Sequence, residues 1–485
     1  MKNSLTLLTF FICLIFAGTA YSQWQPDVRI TNNTSSSYTT AHNNAWCVAS
    51  SGSNVHLLWS DLRHGNYEIY YRQSTNGGVN WQPERRFTNN SGNSSDPSVS
   101  ASGSSVHVVW FDNHQGNPEI YYRRSTNGGA DWAAEIRLSN NMDNSYDPSV
   151  FSTGSLVHVV WMDQRDGNNE VYYIRSTNGG ANWGSETRLT NDPTLSLEPS
   201  VSAAGNDVHI SWCDGRSGYG HEIYYKRSTN GGASFGADTR LTNDPGITGN
   251  ASISVSGVNV NLVWYDKRDG NNEIYYKRSQ NGGTNWGPDV RLTNNSADSW
   301  CPSISASSSL LHVVWYDYRD GTNPEIYYKR STNGGTSWET DVRLTNNISI
   351  SNLATVSTSG TSVHVVWTEQ RDGNPEIYYK RNPNGNFVGI ENISSEIPNG
   401  FSLEQNYPNP FNPATNINFS IPKSGHVKLV VYDMMGKIAA ELVNGNYSAG
   451  TYKVDFDASQ LSTGTYFYKI TAGEFSSVKK MTLVK

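Results

Sequence analysis

The sequence predicts an all-β protein: a seven-bladed β-propeller closed by its own N-terminal strand, followed by a small C-terminal Ig-like β-sandwich. Three observations predict it. A motif of the form Val-His-Val-Val-Trp ends at Trp59, Trp110, Trp161, Trp212, Trp264, Trp315 and Trp367, a spacing of 51 or 52 residues each time. Each unit carries four short segments rich in Val, Ile, Tyr and Trp, separated by Gly, Asn, Asp and Ser turns and free of helical periodicity. After residue 389 the repeat stops, and alternating segments such as HVKLVVYD and TYFYKITAG take over.

Taken in order, residues 1–22 have the pattern of a secretory signal peptide. Lys2 supplies the positive end, LTLLTFFICLIFA is an apolar run too short to span a bilayer comfortably, and Ala20-Tyr21-Ser22 offers small residues at the cleavage spacing. The mature chain would begin at Gln23, without Cys13. Cys47, Cys213 and Cys301 remain, an odd number at unrelated repeat positions, which is neither a disulfide framework nor a zinc pattern.

Residues 23–389 form the predicted propeller. One unit reads PSVSAS from Pro97, VHVVWFD, EIYYRRS and IRLSNN, four strands of an antiparallel blade. The last unit stops after EIYYKRNPNGNFVG without a fourth strand, and the mature N-terminus opens with WQPDVRITNN, the missing segment. Sewing one into the other closes the ring and removes both exposed edges, which an open solenoid would have to cap.

Faithful repetition argues for packing over chemistry. Of 15 tryptophans, seven end the second strand, while Trp24, Trp81, Trp132, Trp183, Trp286 and Trp338 share one turn position, with Phe235 standing in at the remaining blade. Only Trp46 and Trp300 stand outside the pattern. Fourteen of the 28 tyrosines and six of the 11 histidines are repeat residues as well. A net charge of −7 with charged residues at 16% leaves no basic excess for phosphates, so nucleic acid is not an expected partner.

The turn segment STNGGTSW, Ser331 to Trp338, recurs from Ser74, Ser125, Ser176, Ser228 and Ser279. It resembles the Asp-box of the BNR or sialidase-like propellers, Ser-x-Asp-x-Gly-x-x-Trp, with Asn in place of Asp. Asn keeps the side-chain acceptor of the turn and loses the charge. The resemblance implies a folding role for Ser74, Asn76, Gly78 and Trp81, for Ser125, Asn127, Gly129 and Trp132, for Ser176, Asn178, Gly180 and Trp183, and for Ser331, Asn333, Gly335 and Trp338. Sialidases also use three arginines, a Glu-activated Tyr, an Asp and an Arg-Ile-Pro signature. No Arg-Ile-Pro occurs here, and the Tyr-Glu neighbours are replicated sevenfold where a reaction centre must be unique. Kelch propellers differ in placing their Gly doublet after the second strand.

Residues 390–406 read as a linker, and residues 407–485 as a separate domain. Tyr407-Pro408-Asn409-Pro410-Phe411-Asn412-Pro413, then Val431-Tyr432-Asp433 with Gly436, then Gly464-Thr465-Tyr466 and Lys480-Met481, closely resemble the C-terminal sorting domain of the type IX secretion system. That resemblance implies export to the outer-membrane surface or the medium, with the secretion machinery as partner.

The expected function is a non-catalytic, monomeric binding propeller for a glycan or surface polymer; the alternative is a sialidase-like glycoside hydrolase or lyase. No catalytic residue, metal or cofactor is assigned. The expected binding face lies opposite the Asp-box turns and gathers Asp163, Arg165 and Asp166, Asp266, Arg268 and Asp269, and Asp317, Arg319 and Asp320, with Trp46 and Trp300 near the same rim. Such Asp-Arg loops also pair with each other, and calcium is disfavoured because no loop has alternating carboxylates. His64 and His114 mark where two of these loops depart from the pattern.

Overall fold

The computed structural model describes residues 24–39, 47–218, 220–244, 246–383, 390–394, 397–447, 449–458 and 461–485. The signal-peptide region and Trp46 lie outside them. Among the described residues no helix is long and apolar enough to cross a membrane. The chain divides into two compact units, Trp24–Asn386 and a second one formed mainly by Phe387–Lys485.

The first unit consists of seven antiparallel sheets. A representative one runs Ser145–Thr153, Leu156–Asp163, Glu170–Ser176 and Thr187–Arg188. Its second strand is buried almost throughout, because sheets lie against both of its faces. Val157, Val159 and Trp161 pack against Val109, Ile120 and Tyr122 of the preceding sheet, whereas Val160 and Val171 join Val208, Ile210 and Trp212 of the next. Strand periodicity of two therefore serves two different interfaces from one strand.

The first strands pack one against the next around the unit, and Ser351–Ser359 packs against Val48–Ser51 to complete the circuit. They lie too far apart to pair as a sheet, and serines satisfy the N–H groups they expose. Val150 N donates to Ser98 Oγ (3.1 Å), Val201 N to Ser149 Oγ (3.4 Å), Ile253 N to Ser200 Oγ (3.4 Å), Ile304 N to Ser252 Oγ (3.2 Å) and Val356 N to Ser303 Oγ (3.3 Å). These strands line a channel of about 170 Å³.

Closure follows the expected route. Val28–Arg29 pairs with Glu376–Asn382, Val28 opposite Tyr379 and Arg29 opposite Tyr378, in one sheet with Ser351–Ser359 and Ser362–Glu369. Trp24 adds an edge-to-face contact with Tyr328 at 5.0 Å.

The second unit has two four-stranded sheets. One orders Ile390–Ser394, Gly450–Asp457, Ala414–Ile421 and Ser402–Leu403; the other orders Ile438–Tyr447, Gly425–Tyr432, Gly464–Ala472 and Phe475–Leu483. Both contribute to one core that includes Ile417, Phe419, Leu429, Val431, Val454, Ile470 and Met481. Here the linker expectation is corrected. Residues 390–394 and 402–403 are strands of this unit, paired with Gly450–Asp457 and Ala414–Ile421.

Candidate functional site

The repeated turns are clasps between sheets. In the turn at Ser331, Ser331 Oγ donates to Asn333 Oδ1 (3.0 Å), Gly335 N donates to Ser331 Oγ (2.8 Å) and Ser337 N donates to Asn333 Oδ1 (2.9 Å). The Asn carbonyl thus does what an Asp carboxylate would do. The same contacts recur at Ser74, Asn76 and Gly78, at Ser125, Asn127 and Gly129, and at Ser176, Asn178 and Gly180. Gly335 has φ +79°, and a Cβ there would stand 2.1 Å from the Tyr276 hydroxyl of the preceding sheet. Trp338 meets that tyrosine edge-on at 4.9 Å, as Trp81 meets Tyr379 (4.9 Å), Trp132 meets Tyr71 (5.2 Å) and Trp183 meets Tyr122 (4.7 Å). These residues pack, and their turn is shaped to let the neighbouring tyrosine in.

At the opposite end, the residues expected to meet a ligand are engaged with one another. Asp163, Asp266 and Asp317 are fully buried. Arg165 grips Asp163 with Nε on Oδ1 (2.8 Å) and Nη2 on Oδ2 (2.6 Å), Trp161 Nε1 adds a bond at 2.8 Å, and Arg165 also pairs with Glu186. Arg268 pairs with Asp266 (2.5 Å) and Asp289 (2.8 Å), and Arg319 with Asp317 (2.6 Å) and Asp341 (2.6 Å). Burial alone would raise Asp163 and Asp317, but the bonds from Arg and Trp outweigh it and hold both below the usual carboxylate range. Asp166 accepts from Tyr172 (2.5 Å), and Asp269 and Asp320 accept from Tyr275 and Tyr327. Each guanidinium also lies over a repeat tyrosine, 4.3 Å from the Tyr172 centroid for Arg165. The structure buries Asp163, Asp266 and Asp317 away from any ligand, whereas Asp166, Asp269 and Asp320 remain exposed beside their tyrosines. Each Arg braces the second-strand turn by pairing with the buried Asp two residues before it, through both Nε and Nη2 in Arg165 and through Nη2 in Arg268 and Arg319. The two histidines enter the same bracing: His64 Nε2 meets Tyr70 Oη (2.7 Å), and His114 Nδ1 meets Asp112 Oδ1 (2.7 Å).

The molecule loses its repetition elsewhere, at the start of the first strands. Six of them carry a register shift, between Ser95 and Ser98, Tyr146 and Ser149, Leu197 and Ser200, Gly249 and Ser252, Trp300 and Ser303, and Asn352 and Thr355. The extra residue adopts φ near +50° in every case: Asp96, Asp147, Glu198, Asn250, Cys301 and Leu353. A left-handed non-glycine residue is strained, and the strain recurs at six positions that carry three carboxylates, an amide, a thiol and an alkyl side chain.

Three neighbours in this series are carboxylates. Burial and the flanking Asp96 and Glu198 charges raise the Asp147 carboxyl well above its usual range. Glu198 Oε2 accepts from Asn250 N (2.7 Å) and from the Cys213 thiol (3.3 Å). Cys301 Sγ donates to Asn250 Oδ1 (3.3 Å) and lies 3.8 Å from Tyr316 Oη. Burial pushes the Cys301 thiol up to about 12, which makes it a poor nucleophile. The contacts lead from the acidic side to an aromatic one, where Asp298, Trp300, Tyr316 and Tyr318 line a cavity of about 400 Å³ and Trp300 leans on Tyr265 at 4.7 Å.

Among the described residues, Trp300 is the expected ligand residue that belongs to this region; Asp96, Asp147, Glu198, Asp298, Tyr316 and Tyr318 were missed. Aligning the seven units would have found them, because each stands at a variable column inside or next to an otherwise constant strand. Among the described residues no group of three His, Cys, Asp or Glu side chains converges as a metal site.

Comparison with known proteins settles the route of export. Residues 405–484 match the family described as the secretion system C-terminal sorting domain. The sorting domain takes the chain through the type IX secretion system to the cell surface or the extracellular space, and makes that machinery its partner. No curated protein matches the sequence. Among solved structures, a protein of unknown function from Dyadobacter fermentans is similar at 12% identity over 61% of this chain and 96% of that one, with a TM-score of 0.46. Trypanosoma rangeli sialidase is similar at 10% identity over 95% of this chain and 89% of that one, with a TM-score of 0.44. The GH93 alpha-L-arabinofuranosidase of Fusarium graminearum is similar at 14% identity over 61% of this chain and 93% of that one, with a TM-score of 0.43.

Proposed function

We propose that the seven sheets are the blades of a monomeric propeller that binds a glycan or another surface polymer around its axis, without transforming it. The second unit is read as an Ig-like sandwich serving as export address. One observation carries this reading: side chains that differ from blade to blade collect at the strained bulges around the axis, while both interface layers repeat. A ligand is recognised by features that occur once. The aromatic side, Trp300 with Tyr316 and Tyr318, suits the apolar face of a sugar ring, and Asp96, Asp147 and Glu198 suit its hydroxyls.

The purified first unit on a glycan array tests this reading. A carbohydrate hit should lose about tenfold or more in affinity with Trp300→Ala or Asp147→Asn, whereas Trp338→Ala should lower the melting temperature. A silent array, or affinity indifferent to both axis substitutions, overturns it.

Asp147 supports a second reading. A carboxyl raised well above its usual range by burial and two neighbouring carboxylates has the tendency a glycosidase needs in its general acid. A sialidase is the least suitable version. Arg63, Arg165, Arg216, Arg268, Arg319 and Arg371 are all paired with carboxylates, and an anionic sugar would meet the acidic residues around the axis. Release of nitrophenol from neutral aryl glycosides, abolished in Asp147→Asn, would favour the hydrolase over the binder.

A further inference from the structure

The cavity on the aromatic side has a composition that neutral sugars do not require. Trp300 stands opposite Tyr316 in the register of Ser299–Ser307 with Leu310–Asp317, Tyr318 follows that second strand, and Asp298 precedes the first. Tyr318 N donates to the Asp298 carbonyl (3.1 Å), which fixes the two ends together, and Asn272 N donates to Asp298 Oδ1 (2.8 Å), which aims the carboxylate. The Tyr316 and Tyr318 rings meet at 6.1 Å with an interplanar angle of 72°, forming a corner that Trp300 completes.

None of the four residues is demanded by the repeat. The position of Trp300 holds Tyr38, Ser95, Tyr146, Leu197, Gly249 and Asn352 in the other sheets. That of Tyr318 holds Leu62, Asn113, Gln164, Gly215, Lys267 and Gln370. Packing accounts for Tyr316 against the adjoining core and for Trp300 against Tyr265, and leaves Tyr318 and Asp298 unexplained. Asp298 differs in a further way from the acidic residues of the neighbouring turns: it makes no ion pair among the described residues, and the nearby Arg319 is committed to Asp317 and Asp341.

Three aromatic rings and one carboxylate without an ion pair among the described residues line an aromatic cage of about 400 Å³ that is broadly open to solvent. Ring quadrupoles attract a cation, and a weakly hydrated, alkylated one is desolvated most readily. Burial holds the Tyr316 hydroxyl neutral, so Asp298 is the single charge of the cavity. A neutral ligand would leave that charge uncompensated, and an anion would be repelled.

We propose that this cavity is a subsite for a quaternary ammonium group. The inference rests on the reading of the axis end as the binding face and adds the ionic character of the ligand. The test uses the full mature chain, choline chloride as probe and 3,3-dimethylbutan-1-ol as its neutral isostere, by calorimetry with sodium chloride matching ionic strength. Choline should bind saturably and the isostere about tenfold or more weaker. Asp298→Asn, which keeps the volume, should weaken choline about tenfold, and so should Tyr318→Leu, which installs the residue the first sheet carries at that position. Equal affinity for the isostere, no saturable choline binding, or unaltered affinity in both variants would overturn the proposal. The two readings fail separately. Glycan hits with silent choline remove the cage alone, and choline binding with a silent array removes the glycan and leaves the cage.

Discussion

Six buried histidines make the first unit sensitive to acid in a calculable way. His56, His107, His158, His209, His312 and His364 sit on second strands with essentially no exposure. Each places Nδ1 against a repeat tyrosine hydroxyl, from 2.6 Å for His209 and Tyr225 to 2.8 Å for His158 and Tyr173. Nε2 of His56, His107, His158, His209 and His364 has no protein partner. Burial lowers these rings, and Arg124, Arg175, Arg330 and Arg381 lower His107, His158, His312 and His364 further; the result is about 4 for the first four rings and about 3 for His312 and His364, against an ordinary 6.5. A depressed folded-state histidine is neutral in the fold and charged in the unfolded chain. Its contribution is therefore complete above pH 6.5 and is lost as pH falls from there towards 4 or 3. At 1.36 kcal/mol per unit each site forfeits about 3 to 5 kcal/mol, and six together about 20 kcal/mol. That exceeds the roughly 5–15 kcal/mol by which folded domains usually stand. Cooperative unfolding should thus fall between pH 6.5 and 4, before the braced Asp163 and Asp317, held below the carboxylate range, begin to protonate.

The molecule supplies its own control. In the fifth sheet Asn261 occupies the histidine position, and its Oδ1 accepts from Tyr276 Oη at 2.8 Å. His158→Asn therefore copies a solution the fold already uses, without a titrating ring. Urea unfolding followed by tryptophan fluorescence at pH 7 and pH 5 should show wild type losing stability between the two. The single variant should lose about 2 kcal/mol less, and a His107→Asn, His158→Asn, His312→Asn chain about 6 kcal/mol less. The same pH 7 to pH 5 loss in wild type and the triple variant would refute the histidine account.

Deleting residues 24–33 bares the edge of Glu376–Asn382 and removes the Trp24–Tyr328 contact, so the melting temperature should fall and aggregation rise; an unchanged melting curve contradicts closure by this segment. Gly335→Ala forces Cβ against the Tyr276 hydroxyl at positive φ and should cost about 2–4 kcal/mol in urea unfolding, whereas Gly103→Ala, with nothing within 4 Å, should show only the backbone part of that cost. A chain ending at Asn386 should fold and remain in the periplasm on cell fractionation; its normal appearance at the surface would contradict export through the sorting domain.

How much of this was legible depended on whether a partner lay within reach of the sequence. Trp161, Trp183 and Tyr173 announced themselves through repetition, and complementary ends announced closure. The strand at Ile390–Ser394 did not, because its partner lies some sixty residues on and five residues of mixed polarity carry no periodicity of their own. The Asp163–Arg165 pair admitted two readings, ligand contact and mutual pairing, for the opposite reason. Exposed loop chemistry and a buried bidentate brace have the same composition, and only burial separates them. Asp147 was hidden inside Asp-Pro-Ser-Val, which reads as a turn entering a strand, so neither its left-handed backbone nor its carboxylate neighbours could be seen locally.

The same contrast explains why function should collect where it does. At a sheet interface each residue answers to a fixed partner, Gly335 to Tyr276 or Trp183 to Tyr122, so a change in one sheet breaks a contact that the adjoining sheet still requires. At the bulges the neighbours are copies of the same position, Asp96 beside Asp147 beside Glu198, and the fold imposes no identity on them. Freedom from packing permits variation but does not explain its direction. Three adjacent carboxylates cost stability through mutual repulsion, and leucine or asparagine in the same left-handed conformation at the corresponding positions shows that the circuit closes without them. A cost that folding does not require, confined to consecutive sheets beside an aromatic cavity, is what selection for a bound ligand would leave.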